Sequence, residues 1–129
     1  MALESSIQSD ILDYINSLPQ GRAENVSGNA QQSGRADINA CVAGRTLKIE
    51  VKTEDTAYGR KGASTKQRLY LEKWARAGAI ACVVYCVDDV RWVLNRYGLL
   101  SYIREEYRNV SGRGKWYDVQ NKRWVDISY

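Results

Sequence analysis

The segment from residue 37 to residue 52 reads as a β-hairpin and constrains the fold more than any other part of the chain. Residues 37–42 and 45–52 alternate apolar and polar side chains, as half-buried strands do. Between them lie Ala43 and Gly44, and a glycine can take the positive φ that a two-residue hairpin turn requires. A turn of this length fixes which residues of the two strands lie opposite each other.

The predicted register places two acidic side chains across from one another. Ile38 faces Ile49 on one side of the hairpin, and Asp37 faces Glu50 on the other side. Because side chains alternate along a strand, Lys52 lies on the same side as Glu50. The remaining pairs of this register are Val42 with Arg45, Ala40 with Leu47, and Asn39 with Lys48.

The opposed carboxylates indicate a cation site. Directly opposed residues have Cβ atoms about 4.5–5.5 Å apart, so Asp37 and Glu50 repel each other unless a cation lies between them. Oxygen ligands of this kind hold Mg²⁺ or Mn²⁺, and the amine of Lys52 can reach the same centre. This layout is typical of a metal-dependent phosphodiesterase and points to a nuclease.

The composition narrows the chemistry further. The 129 residues are expected to form a single domain (residues 1–129), and 19 Lys and Arg against 15 Asp and Glu permit a polyanionic partner without requiring one. The absence of histidine excludes histidine-based nucleases, Ser-His-Asp hydrolases and HExxH metalloproteases. Cys41, Cys82 and Cys86 match no zinc motif and are expected to be reduced, mostly buried residues of a cytosolic protein. The sequence contains no apolar run that could span a bilayer and no signal-peptide pattern.

Periodicity and turn residues predict the other elements. Helices are expected over residues 2–18, 64–77 and about 88–107, and the second begins with a capping-box sequence, Ser64 to Gln67. The third is expected to be capped by Asp88 and Asp89 and to break at Gly98. Polar loops are expected over residues 27–36 and 53–63. The predicted strands are residues 22–26, the continuously apolar run 79–87, and a final hairpin over 115–128.

This order of elements resembles the PD-(D/E)XK nuclease superfamily, and more specifically its virus-type replication-repair nuclease domain, VRR-NUC. The family pattern is a glutamate in the first helix, a Gly-x-x-Asp, a Glu-x-Lys on the next strand and a glutamine in the following helix. The matching residues are Glu4, Gly34, Asp37, Glu50, Lys52 and Gln67. Family members commonly have proline before the aspartate, where this chain has Ala36.

The resemblance implies an α/β fold with a restriction-endonuclease-like core. That core is a helix, a three-strand antiparallel meander, a helix and a strand, at about residues 3–87 of this sequence. The remaining residues, about 88–129, are then a C-terminal helical and hairpin extension. Trp116, Tyr117 and Trp124 of this extension are expected to serve in the core or in a subunit contact rather than to stack on bases.

The resemblance also implies a metal site with named ligands. Asp37 and Glu50 would bind Mg²⁺ or Mn²⁺, with the backbone carbonyl of Val51 as an additional ligand. Glu4 would contribute to the same site, directly or through water. An ordinary first-turn glutamate, favoured by the helix dipole, would also explain Glu4.

Lys52 and Gln67 complete the catalytic set implied by the resemblance, together with Asp37 and Glu50. Lys52 would hold the attacking water or stabilise charge on the phosphate. Gln67 would point into the site near Lys52. The capping box alone would also explain Gln67, and the two roles compete for the position of its side chain.

Basic residues around this set are candidates for contacts with DNA phosphates. They are Arg35, Arg60, Lys61 and Lys66. Tyr58 lies in the same loop as two of them and is expected to be packed, as loop tyrosines commonly are, rather than to contact the substrate.

The implied function is a Mg²⁺- or Mn²⁺-dependent endodeoxyribonuclease. The resemblance favours a phage or prophage enzyme that cuts branched DNA in the manner of a Holliday-junction resolvase, acts in DNA repair and works in the cytoplasm of a bacterial or phage-infected cell. A homodimer is expected, because a four-way junction needs two symmetric cuts and one chain offers a single site. The alternatives are a flap, end-processing or restriction-type nuclease of the same superfamily, and a catalytically inactive DNA-binding module.

Overall fold

The computed structural model describes residues 3–26, 35–100 and 109–128. Within these ranges the chain forms four helices and six strands. In chain order they are α1 (Glu4–Ser17), β1 (Gly21–Asn25), β2 (Ile38–Val42), β3 (Arg45–Val51), α2 (Ala57–Arg60), α3 (Thr65–Arg76), β4 (Ile80–Val84), α4 (Val87–Arg96), β5 (Lys115–Asp118) and β6 (Arg123–Asp126). None of the helices in these ranges is long and apolar enough to cross a membrane.

The six strands lie in one sheet, in the same spatial order as in the sequence. Neighbouring strands are antiparallel except β3 and β4, which are parallel and are connected through α3. Ala43 and Gly44 have φ values of 49° and 84°, as a two-residue hairpin turn requires. The turn gives the predicted register. Ile38 lies opposite Ile49, and residues 39–42 of β2 pair in order with residues 48–45 of β3.

Helices cover both faces of the sheet, so that β3 is buried on both sides. On one face Ile49 and Val51 are fully buried in a hydrophobic cluster that includes residues of α1 and α4. On the other face α3 contributes Leu71 to a second cluster. Lys48 and Glu50 point to this second side, because side chains alternate along the strand. They are only 5% and 2% exposed, so charged groups lie beneath α3.

The C-terminal hairpin extends the same sheet. Strand β5 pairs with β4, and Trp116 lies opposite Cys82. Trp116 and Tyr117 are buried, and the indole N–H of Trp124 donates a hydrogen bond to Glu72 at 3.0 Å. These aromatic side chains therefore pack the hairpin against the rest of the fold, as the sequence predicted.

The structure corrects three local expectations. Residues 53–63, predicted to be a loop throughout, contain the short helix α2. Asp88 and Asp89 do not cap α4, since they lie in its first turn and Cys86 holds the N-cap position without a side-chain cap bond. Cys41 is exposed, whereas the sequence predicted that the cysteines are mostly buried.

Two other expectations fall partly or wholly on residues that are not described. Helix α4 ends at Arg96, and Gly98 follows with a φ of 67°, which fits the break expected there. The continuation to residue 107 lies largely outside the described residues. The same holds for Gly34 of the Gly-x-x-Asp pattern and for most of the loop before it.

Candidate active site

Four predicted site residues meet at the carboxyl end of β3, on the face of the sheet that α3 covers: Asp37, Glu50, Lys52 and Gln67. Asp37 immediately precedes β2, and its Oδ2 accepts a hydrogen bond from the backbone N–H of Val51 at 2.8 Å. This contact fixes the aspartate against the end of the neighbouring strand. The predicted hairpin therefore places the two carboxyl groups on one face.

Glu50 lies at the centre of the group. Its Oε2 accepts a hydrogen bond from Nε2 of Gln67 at 2.9 Å and lies 3.5 Å from Nζ of Lys52. Its Oε1 is buried and has no hydrogen-bond partner among the described residues. Such an atom is costly in a folded protein unless a ligand or solvent satisfies it.

Burial is the main cause of the raised pKa of Glu50. Removal from water, together with the negative charge of Asp37, raises the pKa of Glu50 to about 8, although Lys52 opposes the shift. Lys52 is itself only 3% exposed. The cluster therefore combines a carboxyl group that is unfavourable as a lone anion with one adjacent cationic side chain.

The side chain of Gln67 takes part in the capping box and also points into the site, the two roles that the sequence left open. Its Oε1 accepts from the backbone N–H of Ser64 at 2.9 Å, while the Ser64 hydroxyl accepts from the N–H of Gln67, so that the capping box is complete. Its Nε2 is left to donate to Glu50. The two ends of one amide thus serve the helix cap and the site at once.

The donor set suits a hard divalent cation. Mg²⁺ is commonly held by one or two carboxylates, and waters and substrate phosphates complete its six ligands. Asp37 and Glu50 supply two carboxylates, and the unpartnered Oε1 of Glu50 is an oxygen that needs such a partner. Among the described residues, no group of three or more Cys, Asp or Glu side chains is arranged to hold a metal.

The other predicted site residues differ in how deeply they are buried. Glu4, in the first turn of α1, is half-buried. Burial raises the pKa of Tyr85, and the negative charge of Glu4 acts in the same direction. Arg35 precedes Asp37 by two positions and is half-buried. Arg60 and Lys61 lie at the end of α2 and are exposed. The last of the predicted set, Lys66, is exposed in the first turn of α3.

A tightly held loop follows Lys52 and presents Tyr58 to solvent, so the prediction that this tyrosine is packed was wrong. Tyr58 in this loop is 70% exposed, and its ring centroid lies 5.4 Å from Nζ of Lys52. The hydroxyl of Tyr85, at the end of β4, donates to the carbonyl of Gly59 at 2.6 Å. No local pattern links Tyr85 to this loop, because the two are brought together only by the tertiary fold.

The C-terminal segment reaches the same loop through a buried aspartate. Asp89 is fully buried, and its carboxylate accepts from the N–H of Tyr85 and from both the N–H and the hydroxyl of Ser111, at 2.7–2.8 Å. This anchor fixes the chain just before β5. Arg113 then lies 3.3 Å from the carboxylate of Glu54, in the loop beside Lys52.

Comparison with solved structures finds the same fold in a chain described as a "VRR_NUC domain protein". The two have a TM-score of 0.57 and 22% sequence identity, and the match covers 80% of the present chain and 95% of the other. No protein-family model matches the sequence, and no curated protein matches it. The likeness confirms the predicted restriction-endonuclease-like α/β architecture and its resemblance to a VRR-NUC domain in fold.

Proposed function

We propose that the protein is a Mg²⁺- or Mn²⁺-dependent endonuclease that hydrolyses phosphodiester bonds in DNA. The observation that carries the proposal is the group formed by the half-buried Asp37 with the buried Glu50 and Lys52, in which one Glu50 oxygen has no partner among the described residues. Structural ion pairs in cores are ordinarily fully hydrogen-bonded. A group that keeps an unsatisfied carboxylate oxygen beside a second carboxyl is better explained by a cation and a substrate.

Each residue of the site has its own proposed role in hydrolysis. Asp37 and Glu50 would hold the metal, with the Val51 carbonyl and Glu4 as further candidates. When bound, the metal activates water and screens the phosphate oxygens during displacement at phosphorus. Lys52, held 3.5 Å from Glu50, orients the attacking water or stabilises the charge that builds up on the phosphate. Gln67 fixes the position of the Glu50 carboxylate.

Basic side chains around the centre supply contacts with the DNA backbone. Arg35, Arg60, Lys61 and Lys66 are the proposed phosphate-binding residues, and the overall charge of +4 is compatible with a polyanionic partner. We extend the proposal to branched DNA as the preferred substrate, to a homodimer that makes paired cuts, and to action in the cytoplasm of a bacterial or phage-infected cell. These finer points rest on the single site per chain and on the predicted family resemblance.

The direct test is cleavage of labelled four-way junction, flap, single-stranded and linear duplex DNA, each with Mg²⁺, Mn²⁺ or EDTA. Wild type is compared with Asp37→Ala and Lys52→Ala. Lys115→Ala is the matched control, because Lys115 pairs with Asp126 at the surface, where the pair is largely exposed. We expect metal-dependent paired cuts in the junction, lost in both site variants and retained in the control.

Other outcomes would distinguish nuclease activity from the preference for junctions and from the homodimer. Cuts confined to flaps or linear duplex would keep the nuclease and discard the preference for junctions. DNA binding without cleavage of any substrate would instead support a catalytically inactive binding module. Sedimentation of the protein alone and with junction DNA tests the homodimer independently of cleavage.

A further inference from the structure

Tyr58 is presented to solvent beside the centre of the proposed site. The residue is 70% exposed, although its ring centroid is only 5.4 Å from Nζ of the buried Lys52. Contact with Lys52 therefore uses only part of the ring, and the rest is open. Tyrosine is enriched at binding surfaces, because its ring supplies apolar contact area and its hydroxyl group a polar contact.

The loop that carries Tyr58 is fixed from below. The hydroxyl of Thr56 accepts from the N–H of Gly59 at 2.9 Å and caps the short helix α2. The backbone at Gly59 passes so close to Thr53 that a Cβ there would lie 1.8 Å from the Thr53 carbonyl oxygen. Tyr85 binds the Gly59 carbonyl from the core side. The ring of Tyr58 is thus exposed on a backbone that has little freedom to move.

Two further contacts, both largely exposed to solvent, lie on the outer side of the same loop. Arg60 donates to the backbone carbonyl of Glu54 at 2.8 Å. The Glu54 carboxylate in turn pairs with Arg113 from the C-terminal segment, which Asp89 anchors through Ser111. A loop held from both sides loses little conformational entropy when a ligand contacts it, which favours affinity.

An exposed ring in this position suits a nucleobase. Aromatic side chains in nucleic-acid grooves stack on bases, and such stacking tolerates any sequence because every base has a π-face. The ring can meet a base face only where that base has left the duplex stack, and extrusion is easiest where pairing is already disrupted. A tyrosine here would therefore favour DNA with unpaired bases near the cut.

We propose that Tyr58, on the fixed loop of residues 53–62, forms a stacking site for an unstacked base that flanks the scissile phosphate, and thereby selects branched or locally unpaired DNA. This inference rests on the proposed nuclease function. It assigns the choice of substrate structure to a named side chain that takes no part in metal binding. It also gives the C-terminal segment a positioning role, through the contact of Arg113 with Glu54.

The test measures DNA affinity in EDTA, so that it does not depend on cleavage. Fluorescence anisotropy gives dissociation constants for a paired duplex, the same duplex with a three-nucleotide bulge, and a four-way junction. The variants are Tyr58→Ala and Tyr58→Phe, and the control is Val119→Ala, an exposed apolar residue in the β5–β6 turn at the other end of the sheet. A 2-aminopurine in the bulge reports stacking directly.

We expect Tyr58→Ala to weaken binding to the bulge and the junction by about 5- to 100-fold, the range of one lost stacking contact, and to leave the paired duplex unchanged. Tyr58→Phe and Val119→Ala should bind all three DNAs as wild type does. The fluorescence of 2-aminopurine should be quenched by wild type and by Tyr58→Phe but not by Tyr58→Ala.

Equal losses on all three DNAs, no loss on any, or a Tyr58→Phe variant as weak as Tyr58→Ala would each overturn the stacking site. If wild type binds or cuts branched DNA and Tyr58→Ala does so equally well, the stacking site is overturned but the proposed nuclease function is kept. Wild type that neither binds nor cuts any DNA would overturn the proposed function and this inference with it.

Discussion

The side-chain amide of Gln67 donates a hydrogen bond to the Glu50 carboxylate across 2.9 Å while its other end closes the capping box of α3. The first turn of α3 lies at the candidate site, because Gln67 takes part in the capping box of this helix and also holds the carboxylate of Glu50. A change at Gln67 therefore acts on both the helix and the site, and a change at Ser64 acts on the cap alone.

Exchange of Gln67 for Glu separates these two effects. A glutamate keeps the acceptor that the capping box needs, but it replaces the donor to Glu50 with a second negative charge. We expect α3 to stay capped while cleavage or metal affinity falls by about 10- to 100-fold, as for outer-shell partners of metal ligands. Ser64→Ala should cost about 1 kcal/mol of unfolding free energy and keep cleavage. Urea unfolding and cleavage rates measure the two, and an equal loss of cleavage in both variants would contradict this assignment.

Glu50 should make the metal-free protein less stable at alkaline pH. Its pKa is raised from an ordinary value near 4.5 to about 8, so the native state binds more protons than the unfolded state between these values. The stability that this group contributes is fully present below about pH 4.5 and is lost as pH rises through about 8. Urea unfolding in EDTA from pH 5 to 9 should show this decline in wild type. A Glu50→Gln variant that declined equally would refute the assignment.

A divalent cation should reverse that trend. Binding of Mg²⁺ or Mn²⁺ requires the deprotonated carboxyl groups, and a ligand that binds only the native state stabilises it by mass action. We therefore expect the rise in melting temperature on adding Mn²⁺ to be larger at pH 8.5 than at pH 6. Asp37→Asn should abolish the rise at both pH values, whereas Asp126→Asn, at an exposed surface pair, should keep it.

Gly59 and Gly62 should respond differently to alanine, although they lie in the same loop. A Cβ at Gly59 would lie 1.8 Å from the Thr53 carbonyl oxygen, so the backbone must move. At Gly62 the φ of 80° is strained for alanine, but the nearest atom is 3.8 Å away. We expect about 1 kcal/mol of destabilisation for Gly62→Ala and more for Gly59→Ala. Faster amide hydrogen exchange over residues 53–62 should accompany Gly59→Ala only.

Asp88 and Asp89 are neighbours with opposite importance for stability. Asp89 is fully buried and accepts from three donors, and its removal leaves those donors without a partner. We expect Asp89→Ala to lower the unfolding free energy by about 3–5 kcal/mol. Asp88 pairs with the partly exposed Arg91, and Asp88→Ala should cost less than about 1 kcal/mol. Denaturant unfolding of the two variants checks the difference, and similar losses would argue against the anchoring role of Asp89.

The sequence predicted the part of the site that depends on local geometry. A two-residue turn at Ala43 and Gly44 determines the hairpin register, and the register determines that Asp37 and Glu50 share a face. The capping box likewise follows from residues three positions apart. Interactions of this kind are set by neighbours along the chain, which is why a single sequence was enough to predict them.

The rest of the candidate site depends on contacts between residues that are far apart in the sequence. The partnership of Tyr85 with Gly59 and that of Asp89 with Ser111 join residues 22–26 positions apart. Asp89 reads as a helix cap in isolation, and only the buried position of its carboxylate reveals an anchor. The exposure of Tyr58 is also a tertiary property, since a loop tyrosine is packed or open according to what surrounds it.

The parallel pairing of β3 and β4 sets the order in which the site can be assembled during folding. The hairpin of β2 and β3 closes locally and can form early, and it brings two like-charged carboxyl groups together while both are still hydrated. Pairing β4 with β3 requires closure of the whole segment between Val51 and Ile80, which is slower. Burial of Glu50 and its bond from Gln67 await that step. The buried arrangement around Glu50 therefore requires the pairing of β4 with β3, so a chain that has formed the hairpin alone has both carboxyl groups but not their buried surroundings.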